Sequence, residues 1–243
     1  MDNISEKEYK RRAQRCSKLV PAGCIGSYQS SGTKFLQRRL AEVGRRMPWI
    51  LPTPHSPYDE SRSSEQPHNN VIIIYADPRD SFISLMTKAN IERGIRGRFR
   101  TNMGAHLEHF GYTPTQIMKF ESTRFLDSTR ADEWRTVWSQ FDGFHQFFNT
   151  WLSASRIAPT RFIKYEHLRD PRTITALGQF LKLSPQQVEE LSERIKTTWV
   201  PRKSSYEALD LDRQEFLNNH FADLLETHQQ LTPFASGRGK NNG

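Results

Sequence analysis

Apolar positions along the chain gather into short unbroken runs separated by segments with helical spacing. Val71-Ile72-Ile73-Ile74-Tyr75 is apolar at every position, the pattern of a central parallel strand covered on both faces. Arg161-Phe162-Ile163-Lys164-Tyr165 reads as a further strand, and Gly23–Tyr28 and Trp49–Leu51 as two more. Between the strands, 34–46 puts Phe35, Leu36, Leu40 and Val43 on one side of a helix and Arg38, Arg39, Arg45 and Arg46 elsewhere. A helix is predicted to begin near Ser81, another to run from Trp138 to Ser155, and others to cover 171–182, 185–197 and 210–230. The aromatic stripe Phe141, Phe144, Phe148 and Trp151 reads as core rather than as a cofactor box. Residues 52–70 read as a long loop dense in Pro, Ser, His and charge, and 94–142 as helices and loops that cap the sheet.

Strands alternating with helices predict an α/β fold: a three-layer sandwich with a central parallel sheet and helices on both faces. The domain is expected over 21–234. A basic arm, 1–20, precedes it, with a solvated helix over 6–18 ended at Pro21. A tail, 235–243, has the composition of a disordered end.

The chain has 243 residues, 35% hydrophobic and 11% aromatic, enough for a real core in one large domain. A formal charge of +8 favours anionic partners. The two cysteines, Cys16 and Cys24, provide neither a disulfide framework nor metal spacing. Met1–Glu6 lacks the order of a signal peptide, and no apolar run approaches the ~20 residues needed to cross a bilayer. The expectation is a soluble, cytoplasmic protein with reduced thiols.

The candidate chemistry begins at Ser27-Tyr28-Gln29-Ser30-Ser31-Gly32-Thr33-Lys34, a turn of small residues between a strand and a helix. Such a turn lets backbone N–H groups converge on a phosphate at the helix N-terminus. Ser31 and Thr33 add hydroxyls and Lys34 a cation. It departs from the P-loop signature, because Ser27 occupies the first glycine position and Thr33 precedes the Lys.

Four segments in order resemble the sulfotransferase family. The loop is similar to its 5′-phosphosulfate loop, Tyr-Pro-Lys-Ser-Gly-Thr-Thr-Trp. Ala76-Asp77-Pro78-Arg79-Asp80, followed by Ser84, resembles its 3′-phosphate segment, Arg-Asn-Pro-x-Asp-x-x-x-Ser. Tyr165-Glu166-His167-Leu168-Arg169-Asp170-Pro171 resembles Tyr-Glu-Asp-Leu-x-x-Asp-Pro, with Phe180-Leu181 echoing the Phe-Leu-Gly beyond it. Arg202-Lys203-Ser204 stands where the family often has Arg-Lys-Gly.

The resemblance implies a donor, 3′-phosphoadenosine 5′-phosphosulfate (PAPS), a product, adenosine 3′,5′-bisphosphate (PAP), and no metal. Ser30, Ser31, Gly32, Thr33 and Lys34 would then hold the 5′-phosphosulfate. Phe35 would stack on adenine or serve as a core residue of its helix. Ser84, Arg202 and Lys203 would hold the 3′-phosphate, and Tyr165 would contact the adenine edge or support the site. His55, in Thr53-Pro54-His55, matches the position of the family's general base.

Two positions depart from the family. Ser30 replaces the loop lysine and Ala76 the arginine that opens the 3′ segment; Lys34 and Arg79 are the candidate replacements. The activity implied is transfer of a sulfuryl group to a hydroxyl or amine of a small molecule, glycan or lipid headgroup. No nucleic-acid partner is expected. A non-catalytic nucleotide-binding protein on the same fold and a P-loop small-molecule kinase are the alternatives. Against the kinase, the loop lacks the Walker lysine and no Mg²⁺-binding Asp follows an apolar strand.

Overall fold

A five-stranded sheet in the order β2-β1-β3-β4-β5 forms the middle layer. The strands are β1 (Cys24–Gly26), β2 (Trp49–Ile50), β3 (Val71–Tyr75), β4 (Thr160–Lys164) and β5 (Ala235–Ser236). The first four run parallel, and β5 closes the β4 edge antiparallel. In this computed structural model the described residues are 24–28, 32–47, 49–50, 70–91, 107–108, 110–123, 125–126, 131–155, 159–201, 203–231 and 235–236. The expected basic arm lies outside them. The expected tail begins on β5, so the sheet reaches at least two residues past the boundary at 234.

The helices are α1 (Thr33–Glu42), α2 (Pro78–Ile91), α3 (Pro114–Ser122), α4 (Ala131–Trp138), α5 (Gly143–Ala154), α6 (Pro171–Leu181), α7 (Pro185–Thr198), α8 (Leu211–His220) and α9 (Ala222–Gln230). They lie on both sides of the sheet, which makes the fold the predicted α/β three-layer sandwich. Alternate side chains of a strand point to opposite faces, and β3 feeds two different cores. Val71, Ile73 and Tyr75 join a cluster dominated by rings, among them Phe82, Phe120, Trp138, Phe144, Phe148 and Phe162. Ile72 and Ile74 join an aliphatic cluster with Ile25, Leu36, Leu40, Ile163, Leu177, Leu191 and Ile195. On that second face α6 meets α7 closely, for a Cβ on Gly178 would stand 2.3 Å from Val188 Cγ2.

Two predicted helices differ from the expectation. In the stretch from Trp138 to Ser155, Trp138 is the last residue of α4 and α5 begins only at Gly143, after a connection where the Tyr112 hydroxyl accepts from the Asp142 and Gly143 amides (2.7 and 3.0 Å) and donates to Asp142 Oδ1. Phe141 therefore sits in the connection, not on the helix, yet its ring is fully buried with the rest of the stripe. The 210–230 stretch turns at Phe221, whose buried ring packs on Phe82 and Phe144. Three further boundaries move: α2 begins at Pro78 rather than Ser81, α1 ends at Glu42, and Tyr165 opens a 3₁₀ turn (Tyr165–Arg169) instead of ending β4.

His228 of α9 is the polar exception in the ring cluster. It is buried against Tyr75 and Phe148 (centroids 4.5 and 4.7 Å) and lies parallel to Tyr28 at 6.1 Å. Its Nε2 has no hydrogen-bond partner. Burial pushes its pKa down to about 3; Asp77 opposes that weakly, while Lys164 and His145 add to it. Burial also lowers His145 and His220. An unfolded histidine takes up its proton near pH 6.5, so between there and about pH 3 the unfolded chain binds protons that the folded chain refuses. Stability is complete above pH 6.5 and is lost as the pH falls. His228→Phe is expected to reduce the acid-side slope of unfolding free energy by up to one proton, about 1.4 kcal/mol per pH unit. Urea melts from pH 7.5 to 4.5 measure it; an unchanged slope refutes the assignment.

Candidate functional site

The chain leaves β1 through α1 to β2 on one side, then returns to β3 on the other side of β1. In open α/β sheets such a reversal opens a crevice at the C-terminal ends of the two strands, where ligands bind. Here the crevice lies between the residues after Gly26 and those after Tyr75. Among the described residues, Tyr28 spans it. The hydroxyl of Tyr28 donates to the Ala76 carbonyl and accepts from the Ala76 amide at 3.3 Å. Its ring stacks on Phe144 at 4.6 Å.

The loop after β1 is closed at its base, where Thr33 Oγ1 donates to Ser27 Oγ at 2.5 Å and both residues are buried. Gly32 precedes α1 in the left-handed region, at φ +85° and ψ 11°. It accepts from the Leu36 amide at 3.1 Å, which leaves the first amides of α1 without partners inside the helix. A Cβ at Gly32 would lie 2.2 Å from Tyr165 Cδ2, so position 32 admits only glycine on two counts. Lys34 is exposed on the first turn of α1, and Phe35 is half-buried with its ring edge-on to Tyr165 at 6.3 Å.

The segment after β3 begins with Ala76, fully buried in the aliphatic cluster. Arg79 forks onto Asp77, with Nε 3.0 Å from Oδ1 and Nη2 2.5 Å from Oδ2. It also donates to Asn218 Oδ1 at 2.7 Å and lies 4.3 Å over the Tyr206 ring. Burial pushes the Asp77 carboxyl upward, but hydrogen bonds and charge from Arg79 outweigh this and hold it below the usual range. Arg79 is thus engaged by Asp77. Ser84, on the same helix, is half-buried.

Residues 199–201 and 203–206 make contacts at the same end of the sheet. At one end Tyr165 Oη donates to the Val200 carbonyl at 3.0 Å, and Trp199 stacks on Tyr165 at 5.8 Å. At the other, Asp80 Oδ1 accepts from Ser204 Oγ, the Ser205 amide and the Tyr206 amide at 3.1, 2.7 and 3.0 Å. Lys203 is exposed between the two anchors.

Of the expected site residues, Gly32, Thr33, Lys34, Phe35 and Tyr165 come together around the start of α1. Arg79 and Ser84 share α2, and Lys203 is brought toward that helix by the Asp80 anchor. His55, Ser30, Ser31 and Arg202 lie outside the described residues. Tyr28 and Asp80 stand within segments quoted for the resemblance, Asp80 at the motif's Asp, but the sequence alone gives neither of them a task. Among the described residues, no group of three or more His, Cys, Asp or Glu is placed to hold a metal ion, and no helix is long and apolar enough to cross a membrane.

No family model and no curated protein matches the sequence. Among solved structures the chain is similar to mouse sulfotransferase SULT7A1 complexed with PAP. The identity is 12%, over 96% of this chain and 91% of that one, with a TM-score of 0.43.

Gly32→Ala is expected to destabilise the protein by about 1–3 kcal/mol through overpacking and left-handed strain. Combining it with Tyr165→Ala removes the clash but leaves the strain, so the double variant does not recover the wild-type free energy. Denaturant unfolding of the three variants measures this. A neutral Gly32→Ala would show that the ring does not lie against the glycine.

Proposed function

We propose that the chain is a sulfotransferase that takes a sulfuryl group from PAPS and gives it to a hydroxyl or amine, releasing PAP. One observation carries the reading. The bond from Thr33 to Ser27 and the left-handed Gly32 stand at the strand-order reversal, and Tyr28 is bonded there to Ala76, at the head of the segment that carries Arg79 and Ser84. Amides at the start of a helix, a hydroxyl and an adjacent exposed lysine suit a phosphosulfate.

Each residue has a stated task. Thr33 and the first amides of α1, with Ser30 and Ser31, hold the 5′ group; Lys34 places a cation beside it in place of the lysine missing at Ser30. Phe35 and Tyr165 flank the adenine. Ser84, Arg202 and Lys203 hold the 3′-phosphate. His55 takes the proton from the acceptor as its oxygen or nitrogen attacks sulfur. The donor supplies the activated sulfuryl group, and the chain supplies position and charge, as in phosphoryl transfer. The protein is read as cytoplasmic.

A second reading is a nucleotide-binding protein without turnover. The observation favouring it is at the 3′ segment, where Ala76 is a buried methyl and Arg79 is engaged by Asp77.

Calorimetric titration with PAP and with ATP tests the common part: PAP is expected to bind and ATP to bind more weakly. ATP binding without PAP binding defeats the donor-site reading. Transfer of labelled sulfate from PAPS to a panel of phenols, amines and sugars then separates the two readings. Lys34→Ala is expected to lower turnover about 10²–10³-fold, and His55→Ala about 10²–10⁴-fold. A wild type that binds PAP and sulfates nothing across the panel supports the non-catalytic reading.

A further inference from the structure

Asp80 is bonded to three consecutive residues of one distant segment. One oxygen, Oδ1, takes three donors from consecutive residues, Ser204, Ser205 and Tyr206, more than 120 positions away in sequence. Two of the three are backbone amides, so the carboxylate fixes the path of the chain and not merely a side chain. It stands in the first turn of α2, where the helix dipole favours a negative charge. Ser84 follows at i+4 on the same face of that helix. Lys203 is next to the first of the three bonded residues and is exposed. Tyr206 is fixed independently, under Arg79 and by its hydroxyl to Asn218 Oδ1 at 2.9 Å. Val200, before Lys203 in the chain, is bonded to Tyr165.

We propose that Asp80 is a positioning residue that sets the site's preference for a nucleotide bearing a 3′-phosphate, by holding residues 204–206 so that the adjoining Lys203 stands beside the helix carrying Ser84. The inference rests on the donor-site reading above. Within that reading the need is specific. With alanine at 76 and Arg79 forked onto Asp77, the 3′ segment itself brings no unengaged arginine, and positive charge has to be delivered from another part of the chain. Among the described residues there, Lys203 is the cation that Asp80 places. Its own charge does not oppose the ligand strongly, because three donors already converge on it.

The test compares PAP with adenosine 5′-monophosphate, which lacks the 3′-phosphate, by calorimetric titration. Asp80→Ala is expected to lower the preference for PAP by about tenfold, the loss of one charge-assisted contact, while affinity for the monophosphate stays within about twofold. Lys203→Ala is expected to lower the preference in the same direction, and the double variant by less than the product of the two single losses, because Asp80 acts through Lys203. Asp80→Asn keeps an acceptor oxygen and is expected to retain most of the preference, a rescue that loss of charge alone does not predict. Should Asp80→Ala not fold, Ser205→Pro removes the 2.7 Å amide donor without touching α2 and is expected to lower the preference in the same direction. Equal weakening of both nucleotides, or an unchanged preference in Asp80→Ala and Ser205→Pro, overturns the inference. A wild type that binds neither nucleotide overturns the donor-site reading, and the inference with it.

Discussion

The contact between Gly32 and the ring of Tyr165 is the constraint on which the site depends. With 2.2 Å from a would-be Cβ to the ring, the two residues fix each other. Gly32 sets the direction in which α1 leaves the loop, and Tyr165 sets where the chain turns after β4. The hydroxyl of the same tyrosine then fixes Val200, so one side chain ties together three segments distant in sequence. A larger residue at 32 would have to displace the ring and also adopt a backbone that costs an L-residue about 1–2 kcal/mol. The ends of β1 and β4 and the residues at Val200 are in this sense one unit.

A second tie joins β1 to β3, and it differs in kind. Tyr28 acts through hydrogen bonds: it offers a hydroxyl to both backbone groups of Ala76, satisfying in a buried place polar groups that the end of β3 would otherwise leave unpaired. The ring behind that hydroxyl belongs to the aromatic core, against Phe144 and beside His228. The crevice therefore has a stiff apolar wall on the side of α5 and α9. A neutral histidine inside that wall keeps it uncharged over the physiological range, at the expense of stability in acid.

Much of this was legible in the sequence. The run from Val71 to Tyr75 specified a strand covered twice, and it feeds both cores residue by residue. The loop at 27–34 and the segments at 76–84 and 165–171 were readable because strand ends, glycine and proline leave local signals. Helix interruptions were harder to read. Asp142-Gly143 is a local turn signal within an apolar stripe that runs on past it, and the break is held by Tyr112, a residue thirty positions away. The turn at Phe221 has no glycine or proline; it is set by where a buried ring has to go. Asp80 escaped for the same reason, since its three donors come from the far end of the chain. Local signals reveal the parts of the site, and tertiary bonds decide how they meet.

The distribution of cations follows from that arrangement. A lysine within the loop and an arginine at the end of β3 would place both charges on backbone already fixed by the sheet. Here the first position is a serine and the second a methyl group buried among Ile72, Ile74 and Ile163, where a guanidinium would need desolvation without a partner. The arginine three residues on is neutralised by Asp77 and serves to hold Tyr206. The exposed lysines, Lys34 and Lys203, stand on a helix turn and next to a pinned segment, one step removed from the strands. Charge placed in that way acts on an anion only as well as its support is held. The precision that the sheet would have lent directly must come from Gly32 against Tyr165 on one side and from Asp80 on the other.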